Sequence, residues 1–123
     1  MFGFARSAGP RVGRISPKDC VERHSRGELT VVDVRELAEL RASGTASGGV
    51  HAPLMRLADK ADPRHPDHDK ALNPDHPVAV FCASGGRSQM AAEMLLKLGY
   101  REVYNLGGFY DWTAGGGKVH RPH

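Results

Sequence analysis

The chain has 123 residues, with 17 Lys and Arg against 14 Asp and Glu and a formal net charge of +3. That length holds one domain with one core. So small a charge, with basic residues gathered at the ends (Arg6, Arg11, Arg14, Lys118, Arg121), argues against a nucleic-acid partner. Two cysteines do not make a disulfide framework, and no apolar run approaches the ~18 residues needed to span a bilayer.

Residues 1–13, rich in Gly, Ser and Arg, are read as a flexible lead-in, 14–117 as the domain and 118–123 as a polar tail. The lead-in lacks the apolar stretch of a secretory signal, so a reducing cytoplasm is expected. Its arginines and lack of acids leave an organelle address open. Ser16-Pro17-Lys18-Asp19 marks a helix start, with a cap, a first-position proline and an acid three residues after the cap. Ile15 and Cys20 fit a hydrophobic staple across that start, which makes Cys20 a core residue rather than a resolving thiol. The helix is expected to run to about Gly27.

Leu29-Thr30-Val31-Val32-Asp33-Val34 is β-branched and nearly continuous, the pattern of a buried parallel strand. Glu36 to Ala42 follows as a short helix with Leu37 and Leu40 facing inward. The Gly/Ser-rich stretch Ser43–Gly49 feeds a brief strand at Val50-His51-Ala52, and 54–61 is a further helix. Asp62 to Pro77, crowded with Pro, Asp and His, reads as a surface loop. His65 and His68 within it read as solvated rather than as metal ligands.

Val78-Ala79-Val80-Phe81 is the best candidate for a central strand. From Ser88 onward Ala91, Met94, Leu95 and Leu98 fall at i, i+3, i+4 and i+7, so one helical face is buried. Gly99 closes that helix in a left-handed conformation. Val103-Tyr104-Asn105 is a last strand and Gly108–Ala114 a last helix, in which Trp112 and Phe109 serve as packing anchors. Strand and helix alternate without an internal repeat. The economical fold is α/β, a central parallel sheet of about five short strands with helices on both faces.

In open sheets of this kind ligands bind beyond the carboxyl ends of the strands. Cys82 occupies such an end and opens the loop Cys82-Ala83-Ser84-Gly85-Gly86-Arg87-Ser88. Loop N–H groups and the positive end of the next helix favour an anion there. A thiol so placed ionises easily, with a pKa of roughly 3.5–7.5 in known cases. Gly85 and Gly86 tolerate the positive φ of a tight curl. The loop N–H groups from Ala83 to Arg87 are candidates to hold a bound sulfur and an oxyanion. Arg87 is suited to a two-pronged contact with such an anion. Ser84 and Ser88 add hydroxyl donors, Ser88 also as a candidate helix cap. Asp33 and Glu36 either orient Arg87 and the loop or cap the following helix. Arg35 reads as a structural salt-bridge partner. No metal and no organic cofactor is implied.

Three segments together, Val32-Asp33-Val34-Arg35-Glu36, Cys82 to Ser88, and Gly107-Gly108-Phe109-Tyr110-Asp111-Trp112, resemble the single-domain rhodanese family in order and spacing from about Ile15 to Ala114. The resemblance implies a rhodanese-like fold and a sulfurtransferase. Cys82 would take the outer sulfur of thiosulfate or a persulfide as a Cys82 persulfide and pass it to cyanide or a thiol, a sulfur-relay protein included. It also implies that Arg87 closes the active-site loop. Two positions depart from the pattern. Thr45-Ala46-Ser47-Gly48-Gly49 stands where family members often carry His-Ile-Pro-Gly-Ala, and Ala83 where thiosulfate users often carry a basic residue. The second points to a thiol-borne persulfide as the better donor. Two other readings use the same loop: a non-enzymatic persulfide carrier or binding module, and a cysteine-dependent phosphatase or arsenate reductase. Phosphatase loops, however, set one more residue between cysteine and arginine than the four present here.

Overall fold

The computed structural model describes residues 11–122. The lead-in at 1–10 and His123 of the tail lie outside them. Five strands form one sheet: β1 (Val12–Arg14), β2 (Thr30–Asp33), β4 (Val50–His51), β5 (Val78–Cys82) and β6 (Val103–Gly108). Their order is β1-β6-β5-β2-β4, and every neighbouring pair is parallel. Parallel pairing needs crossovers, supplied by α1 (Pro17–Ser25), α2 (Leu37–Ser43), α3 (Leu54–Ala61) and α4 (Gly86–Lys97), with α5 (Phe109–Ala114) following β6. A second, antiparallel pair joins β3 (Thr45–Ala46) to β7 (Val119–His120). This is the α/β architecture with a central parallel sheet that the residue pattern predicts.

β5 is buried at every position, so its side chains feed two cores on alternate faces. Val78, Val80 and Cys82 join Leu57 of α3 and Ala91 and Leu95 of α4. Ala79 and Phe81 join Cys20 of α1 and Trp112 of α5. Each fully buried Val, Leu or Phe contributes about 1.5–3 kcal/mol, so the strand that ends in Cys82 is the most firmly anchored in the sheet. Ser16 caps α1 by accepting the Asp19 N–H at 3.1 Å, and Ile15 packs in the same cluster as Cys20, which is fully buried. Gly99 has φ +97°, just beyond α4.

Four expectations are corrected. Val12 and Gly13 are not lead-in: they pair with Val103 and Tyr104 as the edge strand β1, because the sheet beside β6 offers free backbone groups there. The segment after Gly117 is not a free tail, since β7 holds it to β3 and the Trp112 indole N–H donates to the Lys118 carbonyl at 2.8 Å. Leu37 is 40% exposed, whereas Leu40 is buried. Leu37 is the first residue of α2, at the helix start beyond the sheet's carboxyl edge. Leu72, inside the Asp62–Pro77 loop, is fully buried and plugs the core on the α3 side.

Candidate active site

Cys82 is the last residue of β5 and is 1% exposed. Its Sγ accepts the Gly85 N–H at 3.0 Å and the Ser88 N–H at 3.4 Å, with the Ser88 hydroxyl also at 3.4 Å. Burial pushes the thiol pKa up. The Ser88 hydroxyl and the N–H groups of Ser88, Gly85 and Ser84 outweigh it, and the thiol sits below its ordinary value. The loop turns at Gly85, with φ +107°, where a side chain would be strained. Gly86 needs no such freedom: it is the first residue of α4, and a Cβ there would meet nothing within 4 Å. α4 therefore starts before Ser88, which is not its cap but a buried residue of the first turn. There the Ser88 hydroxyl, whose single proton serves one acceptor at a time, lies 2.7 Å from Asn105 Oδ1 and 3.4 Å from the Cys82 sulfur. Ala83 and Ser84 are exposed at the tip of the loop. Ala83 is backed by Gly108, where any Cβ would collide with the Ala83 carbonyl.

Arg87 is held from outside the loop. Its Nη1 and Nη2 donate to Glu39 Oε2 and Oε1 at 2.7 and 2.8 Å, a two-pronged pair whose side chains are each 34% exposed. The guanidinium holds the Glu39 carboxyl down to about 2, and Glu39 in turn raises Arg87. Glu39 Oε2 also accepts the Glu36 N–H at 2.9 Å, so one carboxylate closes the start of α2 and clamps the loop arginine. Glu36 stands at the cap position of α2 and is exposed.

Asp33 serves Arg35, not Arg87. Arg35 donates through Nε and Nη2 to Asp33 Oδ1 and Oδ2 at 3.0 and 2.8 Å, and through its backbone N–H to Oδ1 at 2.9 Å. Nη1 and Nη2 reach the Ser43 hydroxyl at 2.9 Å and the Gly44 carbonyl at 2.8 Å. Its guanidinium lies over the Phe109 ring at 4.6 Å. Every arm of this buried pair is occupied, which suits a structural tie between β2 and the end of α2 and leaves nothing for a substrate. His68 Nε2 faces the Leu72 carbonyl at 2.8 Å and His65 Nδ1 accepts the Asp67 N–H, both within the loop. A recess of about 400 Å³ beside α2, bordered by Leu37, Leu40, Gly49 and His51, contains none of the Cys82 loop.

Sequence reasoning singled out neither Glu39 nor Asn105. Glu39 carried a signal, an acid three residues after a cap position. Asn105 carried a weaker one, a polar residue in an apolar strand directly before Leu106-Gly107-Gly108.

The family model described as Rhodanese-like domain matches residues 16–115. The chain belongs to this family. A thiosulfate sulfurtransferase GlpE of Ectopseudomonas mendocina is 39% identical over 102 residues, covering 82% of this chain and 84% of that protein. A putative sulfur carrier protein YrkF of Bacillus subtilis is 35% identical over 87 residues, or 70% of this chain, and the chain spans 42% of its length. Among solved structures, a rhodanese-related protein of Thermoplasma volcanium superposes with a TM-score of 0.70 at 33% identity, covering 89% of this chain and 99% of that one. A Rhodopseudomonas palustris protein of unknown function, described as a possible tyrosine phosphatase, gives 0.78 at 26% identity, covering 94% and 88%. The rhodanese-like domain is thus of sulfurtransferase type. No helix among its described residues is long and apolar enough to cross a membrane.

Proposed function

We propose that this rhodanese-like domain is a sulfurtransferase that carries a sulfane sulfur on Cys82. The observation that carries the reading is the set of N–H groups from Gly85 and Ser88 directed at the Cys82 sulfur, at the carboxyl end of the central strand. Such donors stabilise a thiolate, and the same donors suit the terminal sulfur of a persulfide. The thiolate attacks the outer sulfur of the donor, whose S–S bond breaks and whose remaining part leaves as sulfite or a thiolate. The Cys82 persulfide then meets cyanide or a thiol, which takes the outer sulfur and returns the Cys82 thiolate. No histidine base is required, because the proton is lost before the attack.

The donor class follows from the cations. Arg87 is engaged by Glu39 on both prongs, and Ala83 places no charge beside the sulfur. A thiosulfate dianion would have to compete with Glu39 for the guanidinium, so a thiol-borne persulfide is the better donor. The phosphatase reading is weakened by the same contact, since its arginine must be free for phosphoryl oxygens. The carrier reading shares the Cys82 persulfide and differs in turnover with small acceptors.

The test is intact mass after incubation with thiosulfate or a low-molecular-weight persulfide, with Cys82→Ser beside the wild type. A gain of one sulfur on the wild type alone, removed by cyanide, is expected. No gain from either donor with a free thiol overturns the reading, and loading without turnover on cyanide or thiols leaves the carrier.

A further inference from the structure

β6 carries an irregularity beside the site: Val80 pairs with Asn105 but Phe81 with Gly107, so Leu106 is an extra residue, a β-bulge. The Asn105 side chain spans that bulge. Its Oδ1 accepts the Gly107 N–H at 2.9 Å and the Ser88 hydroxyl at 2.7 Å. Its Nδ2 donates to the Gly85 carbonyl at 3.2 Å and to Gln89 Oε1 at 3.1 Å. These partners fix which end of the amide is which: a backbone N–H requires the oxygen and a carbonyl requires the NH2.

One side chain thus ties together the β6 bulge, the turn of the loop at Gly85 and the first turn of α4. Gly85 and Ser88 direct their N–H groups at the Cys82 sulfur, at 3.0 and 3.4 Å. Asn105 itself is not among the groups bonded to that sulfur. We propose that Asn105 is a positioning residue for the Cys82 nucleophile, holding the N–H donors on the sulfur from the neighbouring strand. Its consequence for turnover rests on the sulfurtransferase reading, but its effect on the thiol does not.

The charged groups around the site are distinct from Asn105. They are Arg87 of α4 with Glu39 of α2, the Asp33–Arg35 pair after β2, and Asp111 of α5, whose Oδ2 accepts the Gly108 N–H at 2.8 Å. Replacing Asn105 by alanine therefore removes no charge from the surroundings of Cys82. It frees the Ser88 proton for the sulfur, which would lower the thiol pKa, so a rise reports displaced N–H donors.

The experiment is the pH–rate profile of iodoacetamide alkylation at Cys82, read by peptide mass, for the wild type, Asn105→Ala, Asn105→Asp and Gln89→Ala. Thermal melts run alongside. In Asn105→Ala the thiol pKa rises and alkylation at pH 6 slows about five- to tenfold, because less thiolate is present. Asn105→Asp keeps the shape and the two contacts of Oδ1, but turns an oxygen on the Gly85 carbonyl and adds a negative charge. Its profile moves further in the same direction. Gln89→Ala, which removes one exposed contact, leaves the profile in place. Folded Asn105 variants with the wild-type profile overturn the proposal, even if they melt earlier, since a merely structural role lowers stability without moving the pKa. Should Asn105→Ala fail to fold, the uncharged Asn105→Thr, measured in the same way, decides, because the charge of Asn105→Asp raises the thiol pKa whether or not the donors move. A moved profile in a protein that takes up no sulfur keeps this proposal and removes the sulfurtransferase reading. Where sulfur is taken up, the loading rate falls in the variants while the donor concentration for half-maximal rate is unchanged.

Discussion

Cys82 and Cys20 lie on opposite faces of the same sheet and are equally out of contact with solvent, at 1% and 0% exposure. Their chemistry is opposite. Cys20 sits in an apolar cluster with Leu29, Phe81 and Trp112, and burial pushes its thiol up to about 12, with Arg23 pulling weakly the other way. Cys82 is also penalised by burial, yet the hydroxyl and N–H groups of the loop bring it below its ordinary value. Burial alone therefore does not make a cysteine inert or reactive. What decides is whether the surrounding backbone donates hydrogen bonds to the sulfur. The backbone around Cys20 spends its N–H groups on the ladder of α1, whereas a strand end followed by a helix start leaves several unspent around Cys82.

The largest expected expression of that difference is kinetic. In native protein at pH 7, alkylation of Cys82 should outrun that of Cys20 by about a hundredfold or more, because only the thiolate reacts. Site-resolved mass spectrometry measures both at once, and comparable rates would break the comparison.

A second expectation concerns the reach of the loop's field. Glu39→Gln weakens the hold on Arg87 and should raise kcat/KM for thiosulfate about fivefold, the ~1 kcal/mol of one exposed charge contact, while leaving a neutral persulfide donor unaffected. Arg87→Lys should do the reverse, lowering thiosulfate use more than persulfide use, since lysine cannot make the two-pronged contact. Steady-state rates with both donors check this pair. Equal losses with both donors would assign the Glu39–Arg87 bridge to loop support alone.

Smaller effects belong to Cys20. Cys20→Ala should leave turnover unchanged and cost about 1–2 kcal/mol in denaturant unfolding, from lost burial and a small cavity. The folded-state pKa of Cys20 is raised, so the unfolded chain loses its proton first as pH climbs past the ordinary value of 9.0. Stability contributed by Cys20 is full below that value and falls by about 1.4 kcal/mol per pH unit above it, until the folded thiol ionises near 12. For Cys82 the sign reverses: its lowered pKa adds stability above the unfolded value, lost as pH falls through the folded one. Above pH 9 the wild type should lose its advantage over Cys20→Ala in alkaline unfolding, the two curves converging and then crossing, and parallel curves would show that Cys20 ionises as easily folded as unfolded.

Much of this was legible in the chain itself. The continuous apolar run Val78–Phe81, the helical spacing of Ala91, Leu95 and Leu98, and the cap at Ser16 give a strand ending at Cys82 and a helix beginning after it. They follow from local chemistry, because a buried strand and an amphipathic helix each write their period into neighbouring residues. The staple between Ile15 and Cys20 is equally local, and the structure buries that thiol as expected.

What the sequence left open is decided across long separations. Asp33, Arg35 and Glu36 are adjacent, so their pattern is the same whether they serve Arg87, each other or the start of α2. Only the packing of α2 against the loop brings Glu39 to Arg87, 48 positions away, and leaves Asp33 to Arg35. Asn105 is read locally as a polar residue in a weak strand. The bulge that turns it to Gly85 and Ser88 exists only when β6 lies beside β5. Local periodicity thus determined the elements and the place of the thiol. Tertiary structure decided its partners, because a hydrogen bond depends on distances that only the folded chain sets.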